Sequence, residues 1–229
     1  MTTASLIAAV QAYVDDRIGE WDQIPDARKS ELIELGSFIR KATEKRSRCP
    51  ITFVCTHNSR RSHLAQVWAA IAAEYYGIPL ETFSGGTEAT AMNERIVACL
   101  CRTGLQVESV RVAAPLGDIG LGDGVIDRPG RDGNPKYHVR YSEMTPPLEC
   151  FSKVYDQSPN PKSNFIAVMV CSDADQRCPT VSGADHRVVI KYVDPKVSDD
   201  TDQESDVYDE RCRQIAREML FLVSQAKAS

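Results

Sequence analysis

The stretch ITFVCTHNSRRSHLAQVW, residues 51–68, decides the fold. It opens with a short apolar run of β type, residues 51–54, and its period changes directly after Cys55. From residue 64 onward, apolar side chains recur at the three- and four-residue spacing of an amphipathic helix, which ends at Gly77. The stretch therefore predicts a strand, a short loop and a helix.

The same alternation continues along the chain. Further strands are predicted at 80–84, 165–170 and 187–193, with a helix at about 93–104 and a last helix from about Glu204. Alternation of this kind is typical of an α/β fold with right-handed crossovers. We expect a three-layer sandwich with a short parallel sheet.

Two regions fit this pattern poorly. Residues 1–48 carry two apolar helical stripes and predict a helical hairpin in front of an α/β domain of residues 49–229. The sequence leaves open whether the stripes are buried on that domain or on a second subunit. Residues 106–163, rich in glycine and proline, are interpreted as an insertion.

Within the insertion, residues 136–142 could form a strand and residues 148–155 a short helix. Its glycine-rich part, residues 117–133, is expected to be mobile or to lie over the mouth of the Cys55 loop. A lid in that place would restrict which substrates enter.

Composition excludes several classes of protein. The net charge of −5 and the pI near 5.5 argue against a nucleic-acid or anionic-membrane surface. No window holds 18 uninterrupted apolar residues, and no basic segment precedes the first apolar run, so neither a membrane span nor a signal peptide is expected. We expect a cytoplasmic protein. None of the eight cysteines forms a CxxC pair, so no metal site is predicted, and no cofactor is implied.

Cys55 and Arg61 lie six positions apart, between the predicted strand and the predicted helix. The intervening residues can curl so that their backbone N–H groups point inward, and the helix N-terminus adds positive potential. Arg61 offers a planar fork for two anion oxygens, and the same field favours a thiolate at Cys55. Ser62 can donate a hydrogen bond to that thiolate. The remaining candidate anion-binding residues are Thr56, His57, Asn58, Ser59 and Arg60.

The spacing alone is not specific. Cys171 and Arg177 repeat it, but the two carboxylates between them would repel an anion. A plainer reading remains for the first loop, in which Cys55 is a buried strand end and Arg60 and Arg61 begin a solvated helix. Likewise, the acidic run 199–202 is interpreted as a solvated entry to the last helix.

Several segments together resemble a known family. They are CTHNSRRSHLAQVW (55–68), FSGGTEA (83–89), VMVCSDADQRCP (168–179) and the pair Asp194-Pro195. They are similar to the low-molecular-weight protein tyrosine phosphatases and to the arsenate reductases that share their fold. The resemblance covers residues 50–105 and 164–227, about half of the chain.

The resemblance is closest to the thioredoxin-coupled arsenate reductases, because Cys171 and Cys178 match a cysteine pair that completes a three-thiol relay there. In the phosphatases that pair is normally absent, and a second cysteine stands in the loop where this chain has Arg60. The phosphatases also usually have tyrosines after the Asp-Pro pair, where this chain has Lys196 and Val197. Both departures favour arsenate as the substrate.

The resemblance implies a mechanism. Cys55 attacks arsenate, Asp194 acts as the general acid, and Cys171 then attacks the Cys55 sulfur with release of arsenite. Cys178 moves the disulfide to Cys171–Cys178, where thioredoxin reduces it. We expect Cys171 beside Cys55, since the strand ends of a parallel sheet meet at one edge, and Cys178 farther away on a polar loop, residues 172–177.

Two alternatives remain. The chain could be a tyrosine phosphatase or phosphomonoesterase that uses only Cys55, Arg61 and Asp194. It could also be a non-catalytic oxyanion-binding or redox-sensing protein that keeps the loop without turnover.

Overall fold

The computed structural model describes residues 6–110, 133–178 and 180–227. Their helices are α1 (Ala8–Ile18), α2 (Asp26–Lys45), α3 (Arg61–Tyr76), α4 (Glu94–Arg102), α5 (Ser172–Arg177) and α6 (Glu204–Ser224). Their strands are β1 (Cys49–Cys55), β2 (Leu80–Gly86), β3 (Gln106–Ser109), β4 (Tyr137–Arg140), β5 (Leu148–Cys150), β6 (Phe165–Met169) and β7 (Ala184–Val189). Short 3₁₀ turns lie at Trp21–Gln23 and Pro195–Ser198.

A four-stranded parallel sheet lies at the centre, with the order β2-β1-β6-β7, and helices flank it. Cys55 pairs with Gly86 and Val54 with Met169, so the carboxyl ends of β1, β2 and β6 meet at one edge. The predicted α/β fold with a short parallel sheet is confirmed. That edge is where open parallel sheets place their ligands.

The last strand begins three residues earlier than the sequence pattern predicts. β7 starts at Ala184, which pairs with Phe165. Beyond β7, the backbone N–H groups of Ile190 and Tyr192 still donate to Met169 and Val170 at 3.0 and 3.1 Å. This extended tail leads the chain directly to Asp194.

The two N-terminal helices pack against α6 of the same chain. Their inward side chains are fully buried: Val10, Val14, Leu32, Leu35 and Ile39. Glu20 anchors the hairpin through contacts with Arg17, Arg213 and Arg217. Burial alone would raise the pKa of Glu20, but hydrogen bonds from Arg213 and Arg17 hold it below its usual value. The carboxylate is therefore charged at neutral pH and ties the hairpin to α6.

The insertion contains a second, antiparallel sheet of order β3-β4-β5. The predicted strand at 136–142 is present as β4, whereas the predicted helix at 148–155 is wrong. β5 pairs with β4, and the chain after it bonds to the end of β2: Gly86 donates to Lys153 O and Tyr155 donates to Gly86 O, both at 2.9 Å. These non-local bonds replace those of a helix. Residues 117–132 of the expected lid lie outside the described residues.

None of the described helices is long and apolar enough to span a bilayer.

Candidate functional site

The loop between β1 and α3 brings the predicted cysteine and its hydroxyl partner together. Cys55 is 3% exposed, and its Sγ lies 3.1 Å from Ser62 Oγ. Asn58 Nδ2 donates to the same hydroxyl oxygen at 2.8 Å, which leaves the Ser62 proton free to face the sulfur. Asn58 has a φ of +45°, a left-handed conformation that asparagine tolerates and that curls the loop.

The carbonyl groups of the loop point outward, to donors on other elements. Cys55 O accepts from Thr87 N at 3.1 Å, Thr56 O from Glu88 N at 2.8 Å, and Ser59 O from Asn93 N at 3.0 Å. Within the described parts of the chain, no acceptor is bonded to the backbone N–H groups of residues 57–60. Such a set of unpaired amides at a helix N-terminus is a site for an anion.

Gly86 is required for this arrangement. A Cβ atom there would lie 2.2 Å from Glu88 O, 2.7 Å from Thr56 O and 2.8 Å from Asn58 N. A side chain at residue 86 would therefore push the end of β2 away from the loop.

Arg61 links the loop to the predicted acid. Its Nη2 donates to Asp194 Oδ2 at 2.7 Å and its Nη1 to Tyr192 O at 3.0 Å. The buried Arg61 Nε has no acceptor among the described residues. Asp194 also accepts from Lys196 N at 3.1 Å, which fixes it at the start of the 3₁₀ turn. The Arg61 and Asp194 side chains are 12% and 30% exposed, so the acid remains open to solvent beside the loop.

The side chain of Arg60 turns away from the loop. Its Nε donates to Tyr208 Oη at 2.8 Å and its Nη2 to Asp199 Oδ2 at 3.0 Å, while Tyr208 donates to Asp199 Oδ1 at 2.7 Å. The interpretation of Asp199 as part of a solvated entry to the last helix is therefore wrong, because Asp199 forms an ion pair with Arg60 and is largely buried. Arg60 can offer an anion its backbone N–H, and its side chain ties the loop to the segment that carries the acid.

His57 lies at the rim. Its side chain is half exposed, and Nε2 lies 3.7 Å from a Glu88 oxygen. Its carbonyl oxygen accepts from Ser152 Oγ at 2.9 Å and from Thr90 Oγ1 at 3.2 Å. These bonds hold the backbone at residue 57, while the imidazole faces outward.

Cys171 lies beside the loop, at the end of β6. Val170 N donates to Val54 O at 2.8 Å, which places Cys171 next to Thr56, and the Cys171 sulfur lies 3.5 Å from Thr56 Oγ1. The thiol is buried and accepts from Ala174 N at 3.3 Å, as the N-cap of α5.

Cys178 is not brought to this cluster, because residues 172–177 form helix α5 and the predicted polar loop is wrong. Seven residues along a helix separate Cys171 and Cys178 by about 10 Å, beyond the reach of a disulfide. Arg187 holds the helix, since it donates to Cys178 O at 3.0 Å and to Asp175 Oδ1 at 2.6 Å. Burial raises the pKa of the Cys178 thiol.

Three further residues support the loop from behind and were missed by sequence reasoning. The Ser152 hydroxyl holds the residue 57 carbonyl, and Lys153 N donates to Asn58 Oδ1 at 2.9 Å. His63 is fully buried, and burial together with the nearby Lys153 charge lowers its pKa to about 3, so the ring is neutral. Ser152 and Lys153 lie in the insertion, about 95 residues from the loop, and no local pattern indicates the contact.

The described residues contain no cluster of three or more His, Cys, Asp or Glu side chains that could hold a metal ion. The donors at the loop are instead backbone amides and a hydroxyl, next to a thiol. The Arg61 guanidinium adjoins them, bonded to the Asp194 carboxylate and to Tyr192 O. This set can bind a tetrahedral oxyanion, attack its central atom with sulfur and protonate a departing oxygen.

Neither a family model nor a curated protein matches the chain. Among solved structures, it is similar to a low-molecular-weight protein tyrosine phosphatase from T. tengcongensis, with 14% identity, a TM-score of 0.47, and 77% of this chain and 98% of that chain covered. It is also similar to the phosphotyrosine phosphatase VcLMWPTP-2 from Vibrio cholerae, with 13% identity, a TM-score of 0.46, and 77% and 95% covered.

A third similar structure is an arsenate reductase from Archaeoglobus fulgidus, with 16% identity, a TM-score of 0.37, and 74% of this chain and 98% of that chain covered. At these identities, the choice between activities rests on the residues of this chain.

Proposed function

We propose that this chain is an arsenate reductase that uses Cys55 as nucleophile and receives its electrons from thioredoxin in the cytoplasm. The observation that carries the proposal is the second thiol at the loop: Cys171 Sγ lies 3.5 Å from Thr56 Oγ1, at the end of the strand adjacent to the one that delivers Cys55. Ester hydrolysis needs no second thiol there, whereas reduction does, since a dithiol supplies two electrons.

The proposed reaction begins with arsenate in the loop, held by the free amides and Arg61. The Cys55 thiolate forms a bond to arsenic, and Asp194 protonates the oxygen that departs as water. Cys171 then attacks the Cys55 sulfur, the sulfur–arsenic bond breaks, and its electron pair leaves with arsenic as arsenite. Cys178 next attacks Cys171, and thioredoxin reduces the resulting disulfide.

A cysteine-dependent phosphatase is the second candidate, and helix α5 favours it. α5 keeps Cys178 away from Cys171, so the last relay step requires the helix to unwind. Cys55, Arg61 and Asp194 could hydrolyse a phosphate monoester without that change.

Two assays on the purified chain distinguish these candidates. We expect repeated release of arsenite with thioredoxin and its reductase present, and slow but measurable hydrolysis of an aryl phosphate. Fast ester hydrolysis with at most one arsenite per chain would contradict the reductase and support the phosphatase. Absence of both activities would support a non-catalytic oxyanion-binding protein.

Asp194→Asn should slow aryl phosphate hydrolysis or arsenate turnover by roughly 10²–10⁴, the usual effect of removing a positioned acid. Asparagine keeps the size of the side chain and its bond to Lys196 N but has no proton of suitable acidity. Steady-state rates over a range of pH values provide the measurement, with Asp173→Asn as a control on another acidic residue near Arg61. An unchanged rate at every pH would place the acid on another residue.

A further inference from the structure

The ammonium group of Lys153 is buried, and it has no ion-pair partner in the part of the chain that the structure describes. Lys153 is 3% exposed, and its Nζ donates to Phe151 O at 3.2 Å and lies 4.4 Å from the centre of the Phe151 ring. Within the described residues, no carboxylate lies within 4 Å of it. A buried charge with so few partners is costly, and proteins normally pair it or expose it.

The residue that carries this charge lies against the Cys55 loop. The Lys153 backbone bonds to Asn58 Oδ1 at 2.9 Å, and the charge lies close enough to His63, at the start of α3, to depress its pKa. A cation near a helix N-terminus is unfavourable, because that end already carries positive potential. Both costs are offset when a dianion occupies the loop on the other side.

We infer that Lys153 is a positioning residue. The charge of its ammonium group strengthens the binding of a tetrahedral dianion in the Cys55 loop. The inference rests on the proposed anion site. The free amides and Arg61 contact the anion, and Lys153 acts on it from behind the loop, through the low-dielectric interior.

Burial lowers the pKa of Lys153 to about 8, and a bound dianion would raise it again. The charged form therefore predominates below pH 8, and anion binding should weaken as the pH rises above it. The other groups that face Lys153 are His63 from α3, Cys150 and Glu149 from β5, and Lys136. The pKa values of His63 and Cys150, about 3 and about 12, lie outside the tested range.

The test measures sulfate binding by calorimetry between pH 7 and 9.5, since sulfate keeps its two charges throughout. The double variant Cys55→Ser/Cys171→Ser serves as the parent protein, so that neither thiol at the loop titrates. We expect affinity in the parent to fall about tenfold across this range, within the usual size of coupling between two sites. With Lys153→Met added, affinity should be about tenfold lower at pH 7 and nearly independent of pH.

Lys136→Met is the matched control. The Lys136 ammonium lies 4.5 Å from the same Phe151 ring, but it is 45% exposed and pairs with Glu149 at 3.2 Å. Its loss should leave sulfate affinity at pH 7 nearly unchanged. Because the Lys136 charge helps to lower the pKa of Lys153, the fall in affinity should move to a somewhat higher pH in this variant. An equal effect of both substitutions would contradict a specific role for Lys153.

Thermal unfolding separates this role from a structural one. Because the pKa of Lys153 is lowered on folding, the unfolded chain binds more protons between pH 8 and the usual lysine range, and stability should rise with pH there. Lys153→Met should therefore raise the melting temperature at pH 7 while it weakens sulfate binding. A lower melting temperature with unchanged sulfate affinity would overturn the inference and leave the proposed function intact. Absence of sulfate binding in the parent at pH 7 would overturn both.

Discussion

Cys55→Ser is expected to abolish both arsenate reduction and aryl phosphate hydrolysis, a loss on the order of 10⁴–10⁶-fold for removal of a nucleophile. The serine hydroxyl lies in the same field of amides and Arg61, but it remains protonated near neutral pH and is a poor nucleophile without a base. Ser62, 3.1 Å from the Cys55 sulfur, is a hydroxyl and offers no such base. Steady-state assays of both reactions provide the measurement.

Two controls accompany this variant. Cys101→Ser removes an exposed thiol on α4 and should leave both rates unchanged. Cys55→Ser itself should keep the fold and bind sulfate, since the substitution is nearly isosteric and leaves the amides in place. Retention of either activity would show that the nucleophile is another residue and would refute the site.

The strand, loop and helix at the site could be predicted from the sequence because their signals are local. The change from a β run to a 3.6-residue period at Cys55 fixes where β1 ends and α3 begins, and Ser62 follows at the first turn of that helix. The position of Cys171 near the loop could also be predicted from the sequence, because the strand ends of a parallel sheet share one edge. Its distance from Thr56 agrees with that expectation.

Other features of the fold and the site could not be predicted from the sequence, because they depend on contacts between residues that are far apart in the chain. Residues 172–177 form a short polar segment with little helical signal of its own. Ion pairs from Arg187 and Lys191, on the neighbouring strand segment, to Asp175 stabilise it as a helix. Residues 148–155 are extended because they pair with β4 and with the end of β2. Lys153 has no sequence signal of burial, since lysine is almost always exposed.

Helix α5 separates Cys171 from Cys178, the two thiols that the proposed relay must join. The Cys171 thiol caps α5 by accepting from Ala174 N, so its conversion to a disulfide removes that cap. A helix of six residues is only marginally stable by itself, and loss of its cap favours unwinding. Unwinding would expose Cys178, whose thiol is half-buried and whose pKa is raised by burial while the helix is formed.

Cys171→Ser should therefore leave aryl phosphate hydrolysis nearly intact and stop catalytic arsenate turnover, because no second thiol can attack Cys55. Cys178→Ser should release at most one arsenite per chain and trap a Cys55–Cys171 disulfide, detected by mass after peptide mapping.

In the unmodified chain oxidised by arsenate without thioredoxin, the disulfide should join Cys171 and Cys178. Hydrogen exchange across residues 172–178 should then rise, because α5 opens. Cys150→Ser, a fully buried thiol on β5, is the control and should retain turnover. Repeated turnover in both relay variants would contradict the relay and point to an external thiol as the reductant.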